Sequence, residues 1–268
     1  MSEQSEKNGG ILIRQEQERA NEFRESFLDM DQERRIVHLT QDNAVKIEAL
    51  IHFNPRYSNT VDKNNTKSAM ALIKKLKEKD SIYTKDQIQG IIERINFENS
   101  TRMSDDEMKE IARRVFECAN TKEDLFDKLK SKDYPLICII ADNVETTNPK
   151  NGKKRNRVNF SFATKFCHYM CFYLFEGEKD QDNYSIYDNI VINVIPEYED
   201  MLGIEPKELL PFNKKTDKGN NASKYYSKFQ KRIDAILDKN YEDHRVMLSR
   251  YTFDHILWYS SKTVKKST

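Results

Sequence analysis

Apolar residues recur every three or four positions along most of this chain, which is the spacing that one face of an α-helix produces. Between residues 84 and 96, for example, Ile88, Ile91, Ile92 and Ile95 fall on one side of a helix. Polar residues occupy the other side, as expected for an amphipathic helix that packs on a core. The pattern predicts helices at about residues 11–31, 42–52, 66–79, 84–96, 104–118, 121–130, 162–175, 188–195, 222–238 and 249–262, with a short helical turn at 206–211.

Local signals mark several of the predicted helix boundaries. Ser104 and Glu107 form a capping box ahead of an apolar run. Pro196 is expected to stop the helix that begins at Asp188. The stretch 134–142 is almost wholly apolar, so its pattern fits a strand or a buried helix, and its helical surroundings favour the helix.

Composition favours an all-α protein with a substantial core. The 268 residues include only 7 Gly and 6 Pro, while 14 Phe and 13 Tyr supply large apolar surfaces. We predict a helical N-terminal extension over residues 1–60 and a larger multi-helix domain over residues 61–268. With 45 basic and 44 acidic residues, the net charge gives no global attraction to nucleic acid, so any basic patch has to be local.

No sequence pattern predicts a cofactor or a metal site. The four cysteines have neither zinc-ribbon nor CxxC spacing, and Cys167 and Cys171 are expected to be buried structural thiols. No apolar run approaches the ~20 residues of a membrane span. No signal peptide is visible, so we expect a cytoplasmic protein.

One segment of the chain is strongly basic. No acidic residue occurs between positions 145 and 176, and Lys153, Lys154, Arg155 and Arg157 cluster near the start of this interval. The stretch "ETTNPKNGKKRNRVN" is predicted to be a loop. Its cations are candidates for contacts to DNA phosphates, which would make binding depend on salt. The alternative is a solvated loop without a ligand.

Lys165 lies near the start of the most apolar predicted helix, between Phe162 and Phe166, with Asn159 or Ser161 as the predicted N-cap. Burial, the positive end of the helix dipole and the basic segment upstream all disfavour a charged ammonium. These conditions suit a lysine that forms a Schiff base. The alternative is a lysine that pairs with a carboxylate or extends its ammonium to solvent.

Asp188 follows "YSIY" and opens the next predicted helix. Its ordinary role at that position is to cap the helix N-terminus. A capping carboxylate can also face a cleft, where it would stabilise a cation that develops on a sugar.

The pairing of Thr164-Lys165 in a buried helix with "SIYDNIV" around Asp188 resembles the helix-hairpin-helix DNA glycosylase superfamily, in particular the 8-oxoguanine glycosylases. The resemblance covers residues 135–200 directly, and "FDHILWYSSK" resembles the closing helix of glycosylase-like proteins. It implies an all-α, two-lobed helix-hairpin-helix fold. The chain departs from the family in the hairpin, because "KKRNRVNFSFAT" lacks glycine at the expected positions.

The resemblance also implies an enzyme that flips a damaged or modified base out of duplex DNA. Lys165 would attack the anomeric carbon and displace the base, and Asp188 would stabilise the cationic sugar. The resulting imine would then break the strand by β-elimination. Trp258, Tyr259 and Phe160 are candidates for stacking on the flipped base, although buried aromatic residues more often belong to a core.

Two other interpretations of the chain remain open. Instead of this enzyme, the chain could be a non-catalytic helical module that binds DNA or a protein partner, as in a bacterial defence or mobile-element system. A helical scaffold without a nucleic-acid role is the third possibility. One predicted helix combines aromatic and basic residues: Tyr225, Tyr226, Lys224, Lys228, Lys231 and Arg232. They form either a strip that binds nucleic acid or the ordinary surface of an amphipathic helix.

Overall fold

The computed structural model describes residues 27–52, 68–78, 83–99, 101–132, 134–142, 144–147, 154–205, 211–213, 217 and 220–263. Most of these residues lie in α-helices around one hydrophobic core, so the prediction of an all-α, multi-helix fold is confirmed. The two-lobed, glycosylase-like arrangement stays a prediction. Among the described residues, no helix has the length and apolar character that crossing a membrane requires.

The described elements follow one another along the chain as short hairpins and helices. Their order is β1 (Met30–Asp31), β2 (Ile36–Val37), α1 (Gln41–His52), α2 (Ala69–Lys77), α3 (Lys85–Glu98), α4 (Asp105–Cys118), α5 (Lys122–Lys130), α6 (Tyr134–Ala141), β3 (Val144–Thr147), β4 (Lys154–Arg157), α7 (Phe160–Leu174), a 3₁₀ turn (Lys179–Asp182), α8 (Asn189–Ile192), α9 (Ile195–Met201), α10 (Asn220–His244) and α11 (Arg250–Thr263). Strands β1 and β2 pair antiparallel, and so do β3 and β4.

Side-chain caps explain where several helices begin. The predicted capping box of Ser104 and Glu107 is present at α4, and a second box, formed by Thr84 and Gln87, opens α3. Thr121 accepts a hydrogen bond from the third residue of α5. Each cap satisfies an amide N–H that the helix itself leaves without a partner, so the polar residue fixes the first turn.

The core is organised around α7, whose residues are buried on nearly every face. The ambiguous stretch 134–142 forms helix α6, as expected, and packs against α7 and α10. At the other side of the core, Ser260 accepts a hydrogen bond from the N–H of Val37 (3.0 Å), and Tyr198 donates to the carbonyl of Val37 (2.7 Å). The described part of the N-terminal region therefore belongs to the same core, and the domain boundary at residue 60 stays a prediction.

The basic segment contradicts the prediction of a loop. Its described residues form a β-hairpin in which Val144 pairs with Arg157 and Thr147 with Lys154. Val144 is 3 % exposed, so the hairpin has an apolar anchor at its base. The polar residues of β4 have low strand propensity, but they pair with β3 because the two strands connect α6 to α7 and satisfy each other's backbone groups.

Two helix predictions are also wrong in part. Pro196 does not end the helix that starts after Asp188; α8 ends at Ile192, and Pro196 lies in the first turn of α9, where its missing N–H leaves no bond unmade. The helix predicted for residues 11–31 does not reach its expected end, because Met30 is in strand β1. Its earlier part, and most of the turn predicted at 206–211, lie outside the described residues.

Candidate active site

Helix α7 carries Lys165 in its second turn, with the ammonium at the edge of the core. Asn159 is the N-cap residue, and its side chain makes no capping hydrogen bond. Lys165 is 8 % exposed, and its neighbours Phe162 and Phe166 are buried. The prediction of a largely buried lysine near the start of this helix is confirmed.

The ammonium of Lys165 lies beside the predicted aspartate. Lys165 Nζ is 3.0 Å from Asp188 Oδ2 and also donates to Ser161 Oγ at 3.0 Å. Ser161 stands one helical turn before Lys165, so the helix itself provides this second partner. The structure therefore confirms one part of the alternative interpretation of Lys165: the lysine pairs with a carboxylate, and that carboxylate is Asp188.

Asp188 lies directly before α8, at the position that the sequence predicted. Its backbone carbonyl accepts the N–H of Ile192 at 3.0 Å. About a third of its side chain is exposed, against about a tenth for Lys165. The carboxylate is thus the more accessible half of the ion pair.

Both groups line one cavity of about 240 Å³. This volume is slightly below the range of pockets that take drug-sized molecules, so it suits a single ring or another small group. Both polar residues and aromatic rings contribute to the lining. The lining consists of Asn99, Thr101, Arg157, Val158, Asn159, Phe160, Ser161, Phe162, Lys165, Tyr187, Asp188 and Phe212.

The backbone just before Asp188 is held by side chains from three helices. Thr164 Oγ1 accepts the N–H of Tyr187 (3.0 Å), and Asp254 Oδ2 accepts the N–H of Ile186 (2.9 Å). Tyr226 from α10 donates to the carbonyl of Ser185 at 2.7 Å. Because successive residues of this extended segment are fixed to α7, α10 and α11, the position of Asp188 is set before any ligand binds.

Thr164 links the two functional positions directly. Its hydroxyl donates to the carbonyl of Ser161 (2.9 Å) and accepts the N–H of Tyr187. Thr164 precedes Lys165 along the chain, and Tyr187 precedes Asp188. One buried hydroxyl therefore sets the register between the residue pairs that carry the amine and the acid.

Burial shifts several titratable groups behind the cavity. It raises the pKa of the Asp254 carboxyl well above its usual range. It lowers the pKa of His168 to about 4, so this histidine is neutral at pH 7. The neutral ring places Nδ1 2.7 Å from the carbonyl of Tyr184, to which an Nδ1–H donates. The region behind Asp188 is therefore held largely by neutral hydrogen bonds.

The aromatic wall of the cavity is a fixed stack. Phe160 lies parallel to Phe212, with ring centroids 4.0 Å apart, and meets the ring of Tyr187 at 5.0 Å. Of the three predicted stacking residues, only Phe160 lines the cavity. Trp258 and Tyr259 contact each other on α11, away from the cavity lining, and Trp258 is 41 % exposed.

Of the four predicted DNA-binding cations, the two whose side chains the structure describes, Lys154 and Arg157, bond to groups of the protein. Lys154 pairs with Glu145 across the hairpin at 2.7 Å. Arg157 donates to the carbonyls of Thr101 and Arg102, both at 2.7 Å, and reaches the cavity wall. The side chain of Arg155 and the whole of Lys153 lie outside what the structure describes.

Sequence reasoning missed several cavity residues. Phe212 is 52 residues beyond Phe160 in the sequence, and no local pattern connects the two rings. Asn159 was considered only as a cap, but both polar atoms of its buried amide lack a partner among the described residues. An N-cap residue that does not cap its helix is a signal that only coordinates reveal.

No group of three or more His, Cys, Asp or Glu side chains that could hold a metal ion occurs in the part of the chain that the structure describes. Scans against protein-family models, curated proteins and solved structures each found no match for this chain.

Proposed function

We propose that this protein is a DNA glycosylase with an associated β-elimination step, which removes a damaged or modified base. One observation carries the proposal: a nearly buried lysine amine and a carboxylate lie 3.0 Å apart on the wall of one small cavity. Such an enzyme would act in the compartment that holds the DNA, which in a bacterium is the cytoplasm.

The first step joins the lysine to the sugar. A proton moves from Lys165 Nζ to Asp188, and the free amine attacks C1′ of an extruded nucleotide. The C1′–N bond breaks, its electron pair leaves with the base, and Asp188 passes its proton to the base and becomes a carboxylate again. Unstacking the nucleotide costs a few kcal/mol, least for a damaged or mismatched base.

The second step breaks the strand. The sugar ring opens at its C1′–O bond, which leaves a protonated imine between C1′ and Lys165. Loss of a proton from C2′ then expels the 3′ phosphate. Asp188 stabilises the positive charge that develops at C1′, because its carboxylate lies where the amine must approach.

The ion pair also supports a second candidate function. A lysine already paired with a carboxylate and a serine hydroxyl makes the bonds expected of a structural residue. The second candidate is therefore a non-catalytic helical module that binds DNA or a protein partner. This candidate predicts DNA retention without any covalent step.

Borohydride trapping on duplexes that carry a modified base or an abasic site separates the two candidates. The wild-type protein is expected to form a covalent adduct with DNA. Lys165→Arg keeps the charge next to Asp188 but cannot form the imine, so its adduct is expected to fall to background.

The matched control is Lys239→Arg. Lys239 pairs with Asp243 at 2.6 Å on the surface of α10, so the same substitution changes a similar ion pair far from the cavity lining. This variant is expected to trap DNA at the wild-type level. DNA retention without an adduct in the wild-type protein would reject the glycosylase and favour the module.

A further inference from the structure

A second concave region lies between the start of α6 and the first turns of α10. It encloses about 700 Å³ and is much more open than the cavity beside Lys165. Three lysines and three serines dominate its walls. We call it the lysine groove, and its lining is Ser131, Lys132, Tyr134, Pro135, Ser223, Lys224, Ser227 and Lys228.

The lysine groove contains positive charge that no ion pair within the described residues compensates. Lys132, Lys224 and Lys228 are exposed, and none forms an ion pair with a carboxylate of the described residues. No Asp or Glu occurs in the lining. In a chain with 45 basic and 44 acidic residues, such a separation of charge is a local feature. It favours an anionic ligand.

The hydroxyl groups narrow the chemistry of that ligand. Ser131 and Ser223 donate to carbonyls of their own segments, at 3.2 Å and 3.0 Å. The Ser227 hydroxyl, in contrast, makes no hydrogen bond to any described residue. Three ammonium groups, which can only donate, and one hydroxyl that can donate therefore suit the oxygens of phosphate groups.

The floor of the lysine groove is rigid. The ring of Tyr134 packs edge-on against Tyr226 at 5.2 Å and against Tyr184 at 6.2 Å. Tyr226 in turn meets Phe160, a wall residue of the cavity, at 6.2 Å. The same aromatic cluster thus supports both concave regions, and the spacing between them is fixed.

Helix α10 separates its aromatic and basic residues onto different sides. Tyr225 and Tyr226 are buried in the aromatic cluster, while Lys224 and Lys228, one turn apart, line the lysine groove. Arg232 is buried and bonded to a carboxylate of α9. The aromatic and basic strip that the sequence suggested is therefore not formed, but two of its lysines lie together in the lysine groove.

We propose that the lysine groove, rather than the basic hairpin, binds the phosphate backbone of duplex DNA. This inference rests on the proposed function for the identity of the ligand, and on the groove for its location. Lys154 and Arg157 of the hairpin already bond to protein oxygens, whereas the three groove lysines do not.

The test is the salt dependence of binding to an undamaged duplex. The triple variant Lys132→Gln, Lys224→Gln, Lys228→Gln is expected to bind more weakly at every salt concentration. A plot of log K against log salt has a negative slope, and its magnitude should decrease by about 0.9 for each lost phosphate contact, hence by up to about 3.

The control replaces lysines that pair with carboxylates, in the triple variant Lys74→Gln, Lys77→Gln, Lys239→Gln. It changes the net charge by the same amount, so it is expected to keep a slope close to that of the wild-type protein. Equal slopes for the two triple variants would overturn the proposal.

Two further competitors define the ligand. If polyglutamate displaces the duplex from the wild-type protein as well as a second duplex does, the groove does not select phosphate and the inference fails. If only inorganic phosphate binding, and not duplex binding, is lost in the groove variant, the ligand is a small phosphate and the assignment to DNA fails.

The outcome is independent of catalysis. Groove-dependent binding without borohydride trapping would reject the glycosylase and keep the groove. Trapping on an abasic duplex that is equally salt-sensitive in both triple variants would keep the glycosylase and reject the groove.

Discussion

The cavity and the lysine groove place lysines in opposite surroundings. In the cavity, Lys165 is nearly buried and has both an acid and a hydroxyl within 3.0 Å. In the groove, Lys224 and Lys228 are exposed and make no ion pair with a described carboxylate. A buried charge has to be compensated inside the protein because desolvation costs several kcal/mol, whereas water compensates an exposed one.

This contrast suggests a division of labour. A compensated amine in a small cavity is positioned for chemistry on one group, while uncompensated amines in an open groove are available to a large anion. The basic hairpin belongs to neither class. Lys154 is exposed but paired with Glu145 across the strands, and such surface pairs contribute little to stability.

The largest effect is expected from Asp188→Asn, which removes charge from the cavity and leaves the groove unchanged. The rate of base excision should fall by about 10²–10³-fold, because a neutral amide neither takes the lysine proton nor stabilises the sugar cation. The free energy of unfolding should also fall, by about 3 kcal/mol, because the nearly buried ammonium of Lys165 loses the charge that compensates it. Single-turnover kinetics on a damaged duplex and urea denaturation measure the two quantities.

Asp243→Asn is the control for this change, because Asp243 pairs with Lys239 on the surface. Its excision rate should match that of the wild-type protein. Undiminished excision by Asp188→Asn would remove the acid from the mechanism.

For each group, a smaller effect is expected from a change of pH. It alters the free energy of unfolding through the buried histidines. Burial lowers the pKa of His168 and of His255 from 6.5 to about 4. The folded state therefore binds fewer protons than the unfolded state between these values. The stability that the neutral rings contribute is complete above pH 6.5 and is lost as pH falls towards 4, by about 3 kcal/mol for each ring.

Asp254 acts in the opposite direction. Its raised pKa favours the folded state at low pH, and this contribution is lost as pH rises through the folded-state value. Urea denaturation of His168→Gln between pH 7 and pH 5 isolates the contribution of His168. As pH falls, the free energy of unfolding should decline less steeply in this variant than in the wild-type protein. The groove triple variant should retain the wild-type decline, and a decline unchanged in His168→Gln would contradict the assignment.

The smallest effect is expected from Thr164→Val, which removes the hydroxyl that links the two halves of the site. The N–H of Tyr187 loses its partner, so the free energy of unfolding should fall by about 2 kcal/mol. Displacement of Asp188 should lower the excision rate about tenfold with little change in KM.

Thr164→Ser retains the hydroxyl and should restore excision. DNA binding through the lysine groove should be the same in all three proteins. A Thr164→Val protein that is destabilised but excises at the wild-type rate would limit this hydroxyl to a structural role.

Helices were predictable wherever apolar spacing and a polar cap agreed. Ser104 with Glu107, and Thr121, specify starts through bonds within one turn of the chain. The β3–β4 hairpin was not predictable, because β4 consists of charged and amide residues that have low strand propensity and pair with β3 only where α6 and α7 bring the two strands together. The prediction that Pro196 ends a helix was wrong, because proline disrupts a helix interior but is accepted in a first turn. Its role depends on where the preceding helix ends, which is at Ile192.

For the candidate site, residue types were predictable and partners were not. A lysine among phenylalanines implied either a carboxylate partner or an ammonium that reaches solvent, and the sequence did not say which carboxylate that partner would be. That the two side chains meet, and that Phe212 closes the same cavity, depends on hydrogen bonds to Thr164 and Asp254 from separate helices. Such contacts leave no local pattern in the sequence.

By itself, the sequence determined the helical class, most helix starts and the burial of Lys165, because these depend on interactions within a few residues. Only the tertiary structure decided which charges are paired. It joined Lys165 to Asp188 and Lys154 to Glu145, and it left Lys224 and Lys228 without an ion pair to any described carboxylate. The reason is that an ion pair depends on distances of a few ångströms between segments whose separation along the chain carries no information about their separation in space.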